Sequence, residues 1–170
     1  FVHERHAHTD RPRFAGWWGH DQTTRFKMGP HFSPTPGADG WQLSNPPILA
    51  LAPLRVSLEI FHRAGLARLR EKSIALTSFL DALIREHLAG IIDIATPRDP
   101  ERRGCQLSLR VVDGRDAGRA LFDYLGEHGI IGDWREPDTI RIAPTPLYKR
   151  YLDCLHFVRA ARNWAKPGRA

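Results

Sequence analysis

Gly104-Cys105-Gln106-Leu107-Ser108-Leu109-Arg110-Val111 is the stretch that decides the fold. From Gln106 onward polar and apolar side chains alternate, the period of two shown by a half-buried strand. Its surroundings repeat the signal. Residues 91–95 (Ile-Ile-Asp-Ile-Ala) read as a strand before it, and residues 116–128 as an amphipathic helix after it, stopped before Gly129. Residues 130–133 and 139–143 add two short strands, joined by a turn around Glu136-Pro137-Asp138. A final helix over residues 148–164 turns Leu152, Leu155, Phe157 and Val158 inward, and a frayed tail follows over residues 166–170.

Upstream the period lengthens to that of helices. Pro46 and Pro47 suit the first turn of a helix, Ser44 or Asn45 is placed to cap it, and Leu51, Leu54, Leu58 and Phe61 form its apolar stripe. Gly65 interrupts, and a second helix runs over residues 66–87 with Leu69, Ile74, Leu76, Phe79, Leu80, Leu83 and Ile84 on one face and Gly90 where a C-cap stands. The order helix–helix–β–β–α–β–β–α predicts an α+β fold, a small domain with a mainly antiparallel sheet covered on one face by helices. Residues 48–170 are assigned to that domain. Residues 1–47 differ in kind. They are rich in Gly, Pro, His and Trp, strand-like over the first seven residues and irregular afterwards. So much loop reads as an active-site wall leaning on a larger structure, not as a domain of its own.

Composition narrows the function classes. At 42% hydrophobic and 26% charged, the 170 residues have the make-up of a soluble globular protein. No apolar run approaches the roughly 20 residues that span a bilayer, so no membrane partner is expected. The opening FVHERHAHTD is neither a signal nor a transit sequence, and with no initiator Met the natural chain is expected to begin further upstream. The net charge of +6 would suit nucleic acid, but the arginines are scattered along the whole length without a basic helix or zinc-finger spacing, which argues against that partner. Cys105 and Cys154 lack CxxC spacing and read as reduced, buried small apolar residues in a cytoplasmic setting.

Several side chains have two readings at this level. Trp17 and Trp18, between Gly16 and Gly19, are either packing anchors or donors whose indole N–H reaches a ligand oxygen. In Ser44-Asn45-Pro46-Pro47 the prolines hold the preceding residues extended, so Asn45 is either a cap or a rigidly aimed ligand contact. Arg141 alternates with Ile140 and Ile142; it is either on a solvated strand face or a planar fork for a carboxylate. His3, His6 and His8 cluster, yet no acidic or thiol ligand is suitably spaced beside them, and no metal is expected.

Three motifs, GWWGHDQTTRFKM over residues 16–28, DGWQLSNPPIL over 39–49 and TIRIAPTPLY over 139–148, together resemble the C-terminal part of kynureninase. That is a pyridoxal phosphate enzyme of tryptophan catabolism with a class V aminotransferase-like fold. The resemblance runs from Phe1 to about Asn163. It implies that residues 1–47 are a remnant of the large cofactor-binding α/β domain, and that the complete enzyme, a cytoplasmic homodimer, hydrolyses L-kynurenine and its 3-hydroxy form to an anthranilate and L-alanine. It further implies that Trp17 reaches the cofactor phosphate of the neighbouring subunit and Asn45 stands on the cofactor side. Ser44, Trp18 and His20 then lie beside the substrate, and Arg141 clamps its α-carboxylate. No lysine here matches the family's Schiff-base lysine: Lys27, Lys72, Lys149 and Lys166 stand in other contexts. No catalytic residue is therefore assigned, and the isolated chain is expected to be inactive. Another pyridoxal phosphate enzyme of the same fold type, a desulfurase or aminotransferase, and a non-catalytic binding module are the alternatives. The SNPP and GWWGH motifs speak against the former.

Overall fold

Gly65, at φ +81°, separates the two long helices, α1 over Ile48–Ala64 and α2 over Leu66–His87. A β-carbon is rarely held in that left-handed region, so glycine is what permits the break. Arg68 satisfies the end of α1, donating from Nε to the Ala64 carbonyl (2.8 Å) and from Nη2 to that of Arg63 (3.1 Å). In this computed structural model residues 1–27 and 29–166 are described; of the expected frayed end over 166–170, residues 167–170 lie outside the described residues. Two units can be told apart, Phe1–Leu58 and Glu59–Ala170, so the division falls inside α1 and not at Pro47 where the composition changes.

The second unit holds a four-stranded sheet: β1 (Ile92–Ile94), β2 (Leu107–Val111), β3 (Asp133–Arg135) and β4 (Thr139–Ile142), in the order β1-β2-β4-β3 and antiparallel throughout. Helices α2, α3 (Arg115–Glu127) and α4 (Tyr151–Trp164) supply the rest of its core. Period two does the sorting. Leu107, Leu109, Val111, Ile140 and Ile142 are buried with Leu76, Leu80, Ile84, Leu121, Leu125, Phe157 and Val158. Full burial of each leucine contributes about 1.5–3 kcal/mol. The intervening residues Ser108, Arg110, Thr139 and Arg141 are half-buried or exposed and make the other sheet face polar. The α+β class with a helix-covered antiparallel sheet is thus the observed one.

Several expected details change. Residues 1–7 form no strand: Glu4–His6 is a 3-10 turn started by His3, whose Nδ1 accepts from the Arg5 N–H. The stripe of α1 stays uncovered, since α1 contributes no buried residue. The first two N–H bonds of α1 go to the Pro47 carbonyl, so neither Ser44 nor Asn45 caps it. Leu88, two residues before Gly90, is the cap of α2. Residues 130–132 are not strand. Gly129, at φ +72°, and Ile130 donate their N–H groups back to Gly126 and Leu125, so α3 uses in its C-terminal cap the donor that a ladder would need. The strand starts at Asp133 instead. Helix α4 starts at Tyr151, and Leu152 is exposed.

Cys154 is buried and burial pushes its thiol up to about 11, whereas Cys105 is only half-buried. Stability from the protonated Cys154 is complete below the ordinary thiol value and is lost as pH rises through about 11. A colorimetric disulfide reagent at pH 8 is therefore expected to modify Cys105 while Cys154 reacts only after denaturation. Equal rates for the two thiols, read by peptide mapping, would contradict this packing.

Candidate functional site

In the first unit two glycine-containing segments lie backbone against backbone. Trp17–Gly19 is one 3-10 turn and Gly37–Trp41 another. A Cβ at Gly16 would collide with the Leu43 backbone; one at Gly19 would stand 2.9 Å from the carbonyl oxygens of Gly40 and Gln42. Gly40 is pressed in the same way against the Thr35 carbonyl. Only residues without a side chain allow this approach. It brings the tryptophan turn next to the segment leading into Ser44 and Asn45, and Gln42 Nε2 donates to the Ser44 carbonyl at 3.1 Å.

The turn is tied further to residues 33–35. Thr35 N–H donates to the Gly19 carbonyl (2.8 Å), Asp21 N–H to that of Ser33 (2.8 Å), and His20 faces Pro34 in an antiparallel bridge. The His20 ring is engaged inside this loop. Its Nδ1 accepts from the Ser33 N–H (3.4 Å), which places the proton on Nε2, 3.0 Å from the Thr24 hydroxyl oxygen. Asp21 accepts from the hydroxyl and the N–H of Thr23, and these bonds hold its carboxyl below the usual range. Arg25, which sequence reasoning left unassigned within the quoted motif, straps the turn. Its Nη2 donates to the Trp18 and His20 carbonyls at 3.1 Å each, and its guanidinium lies over the Trp18 ring.

Trp17 and Trp18 remain 50% and 40% exposed. Trp17 meets Phe26 edge to face at 5.5 Å. Beside it opens a cavity of about 370 Å³, lined by Trp17, His20, Thr24, Arg25, His31 and Phe32 among others. The Arg25 cation and an indole donor at its wall suit an anionic group. Among the described residues neither the Trp17 indole N–H nor the Asn45 amide has a partner, and Asn45 is exposed. Both donors are free for an outside acceptor.

Arg141 belongs to the other unit. It lies on the polar face of β4, opposite Ser108 of β2 and Asp133 of β3. Its Nε donates to Asp133 Oδ2 and its Nη2 forms an ion pair with the same oxygen, which also accepts from Arg135 Nε at 2.9 Å. The bond from Arg141 is the main reason that the Asp133 carboxyl sits below its ordinary value, so the pair is intact at neutral pH and opens only as acid protonates Asp133. Reading the sequence missed Asp133, because eight residues separate it from Arg141 and only the strand register brings them together. Among the described residues no cluster of His, Cys, Asp and Glu could hold a metal ion, and no helix is long and apolar enough to cross a membrane.

Residues 69–160, more than half of the chain, match the Kynureninase C-terminal domain family. The chain belongs to that family. It is similar to a kynureninase of Stenotrophomonas maltophilia, 64% identical over 166 residues that make up 97% of this chain and 39% of the relative. Kynureninases of Xanthomonas campestris and Xanthomonas oryzae are each 61% identical over 97% of the chain and 39% of their own length. The chain therefore spans about two fifths of the kynureninases it matches. A solved structure of a C-DES mutant with glycine covalently linked to the PLP cofactor shares the fold, at TM-score 0.66 and 21% identity, over 95% of this chain and 40% of that one.

Proposed function

We propose that this chain supplies the binding and orienting part of a pyridoxal phosphate-dependent kynureninase. The whole enzyme would cleave L-kynurenine, and its 3-hydroxy form, with water to an anthranilate and L-alanine. The observation that carries the reading is the identity to proteins named kynureninase over nearly the whole chain, 64% for the first of those above. When bound, the cofactor serves as an electron sink for charge at the substrate's Cα and Cβ, which allows the Cβ–Cγ bond to break after water adds to the ketone.

This chain's residues hold and aim. Arg141 binds the α-carboxylate through its planar fork. Ser44 and Asn45 shape the wall of the ring pocket, and the Asn45 amide, without a partner among the described residues, is available to the cofactor. Trp17 offers its exposed indole N–H to the cofactor phosphate across a homodimer interface, and Trp18 stands beside the substrate. His20 contributes by fixing the turn that presents both tryptophans, since its ring nitrogens are engaged within the loop. Residues 1–47 are then the edge of a larger cofactor-binding domain, and two free cysteines suit a cytoplasmic setting. Orientation of this kind is worth several kcal/mol of barrier.

The test is product analysis. The full-length protein loaded with pyridoxal phosphate is expected to release anthranilate and alanine in equal amounts from kynurenine, and residues 1–170 alone neither. Turnover of other amino acids without anthranilate would favour a desulfurase or aminotransferase, and anthranilate from the isolated chain would refute its dependence on a lysine elsewhere.

A further inference from the structure

The contact between Arg141 and Asp133 has a geometry beyond that of a surface ion pair. The two residues are cross-strand partners in the β3–β4 register, so their spacing is set by the ladder and not by chance side-chain encounter. A guanidinium has two edges that can grip a carboxylate, one formed by Nε with Nη2 and one by Nη1 with Nη2. Asp133 takes the first, with Nε and Nη2 converging on Oδ2. Nη1 has no partner among the described residues, and Arg141 keeps 31% of its side-chain surface exposed. The end-on edge is therefore left open. The charges also fit. Arg135, Arg141 and Asp133 together carry one net positive charge, which matches a single incoming carboxylate.

We propose that Asp133 is a positioning residue that locks the rotation of the Arg141 guanidinium and presents its Nη1–Nη2 edge to the substrate's α-carboxylate. This rests on the reading of Arg141 as the carboxylate clamp. An arginine without such a brace spends rotamer entropy on each binding event, whereas a braced fork has already lost it. Arg135 has a lesser part, since it shares Oδ2 but lies on the edge strand with its side chain 60% exposed.

The experiment is a double-mutant cycle on the full-length, cofactor-loaded protein with kynurenine as substrate. Asp133→Ala is expected to raise KM about tenfold, the effect of losing one charge-assisted bond, with kcat within about twofold. In an Arg141→Lys background the same change is expected to move KM by less than about twofold, because no fork remains to be aimed. Should Asp133→Ala not yield folded protein, Asp133→Asn, which keeps size and one acceptor oxygen, takes its place with a KM increase in the same direction. A structural role alone would lower the melting temperature and leave KM of the folded protein unchanged, and that result overturns the proposal. So do equal KM effects in both backgrounds. If Arg141→Lys itself leaves kcat/KM at the wild-type value, the clamp reading falls and the brace with it. If Arg141→Lys is impaired while Asp133→Ala is not, only the brace falls.

Discussion

Arg141→Lys in the full-length protein is expected to lower kcat/KM for kynurenine by roughly ten- to a thousandfold, with the content of bound cofactor unchanged. The substitution keeps the positive charge and removes the fork. In the structure Nε and Nη2 are committed to Asp133, so a carboxylate ligand meets the other edge. A lysine ammonium is a point charge with no planar edge that could match both carboxylate oxygens. A solvated surface arginine would give a change within about 0.5 kcal/mol. Steady-state kinetics together with the cofactor-to-protein ratio decides between the two, and an unchanged kcat/KM would take Arg141 out of the site.

The parts of the fold that could be read from the residues are those where periodicity and punctuation agree. Helix α2 was expected over 66–87 and spans Leu66–His87, because an apolar face lies between two glycines that both take positive φ, Gly65 and Gly90. Strand β2 shows its alternation as a buried and exposed pattern, with Leu107, Leu109 and Val111 inside. Where reading failed, a longer-range competitor decided. Ile130 and Ile131 have strand composition, yet the cap of α3 takes the Ile130 N–H and Ile131 is 94% exposed. The stripe of α1 has helical spacing, but spacing cannot tell whether a partner surface is there to cover it. The site divides in the same manner. Tryptophans and an arginine between apolar neighbours announce themselves, whereas the Gly16–Leu43 approach, the Arg25 strap and the Asp133 brace exist only once the chain has folded back on itself.

Gly16→Val is expected to separate the tryptophan turn from the segment that carries Ser44 and Asn45, at a cost at the upper end of the roughly 1–3 kcal/mol of overpacking or above it. A Cβ at Gly16 meets the Cα, carbonyl carbon and oxygen of Leu43, all backbone atoms. No rotamer change can clear them, so one segment must move. The strap from Arg25 and the bonds between residues 19–21 and 33–35 would hold the turn's own shape while it shifts. The specific consequence is loss of the alignment of Trp17 with Asn45, and hence weaker retention of pyridoxal phosphate together with increased protease cleavage within residues 40–47. Gly29→Ala is the control. Among the described residues beyond its chain neighbours, nothing lies within 4 Å of a Cβ there, and a change within about 0.5 kcal/mol is expected. Limited proteolysis and cofactor dialysis on the two full-length variants read the difference. Equal resistance and equal cofactor retention in both would mean that the close approach of the two segments does not hold the site together.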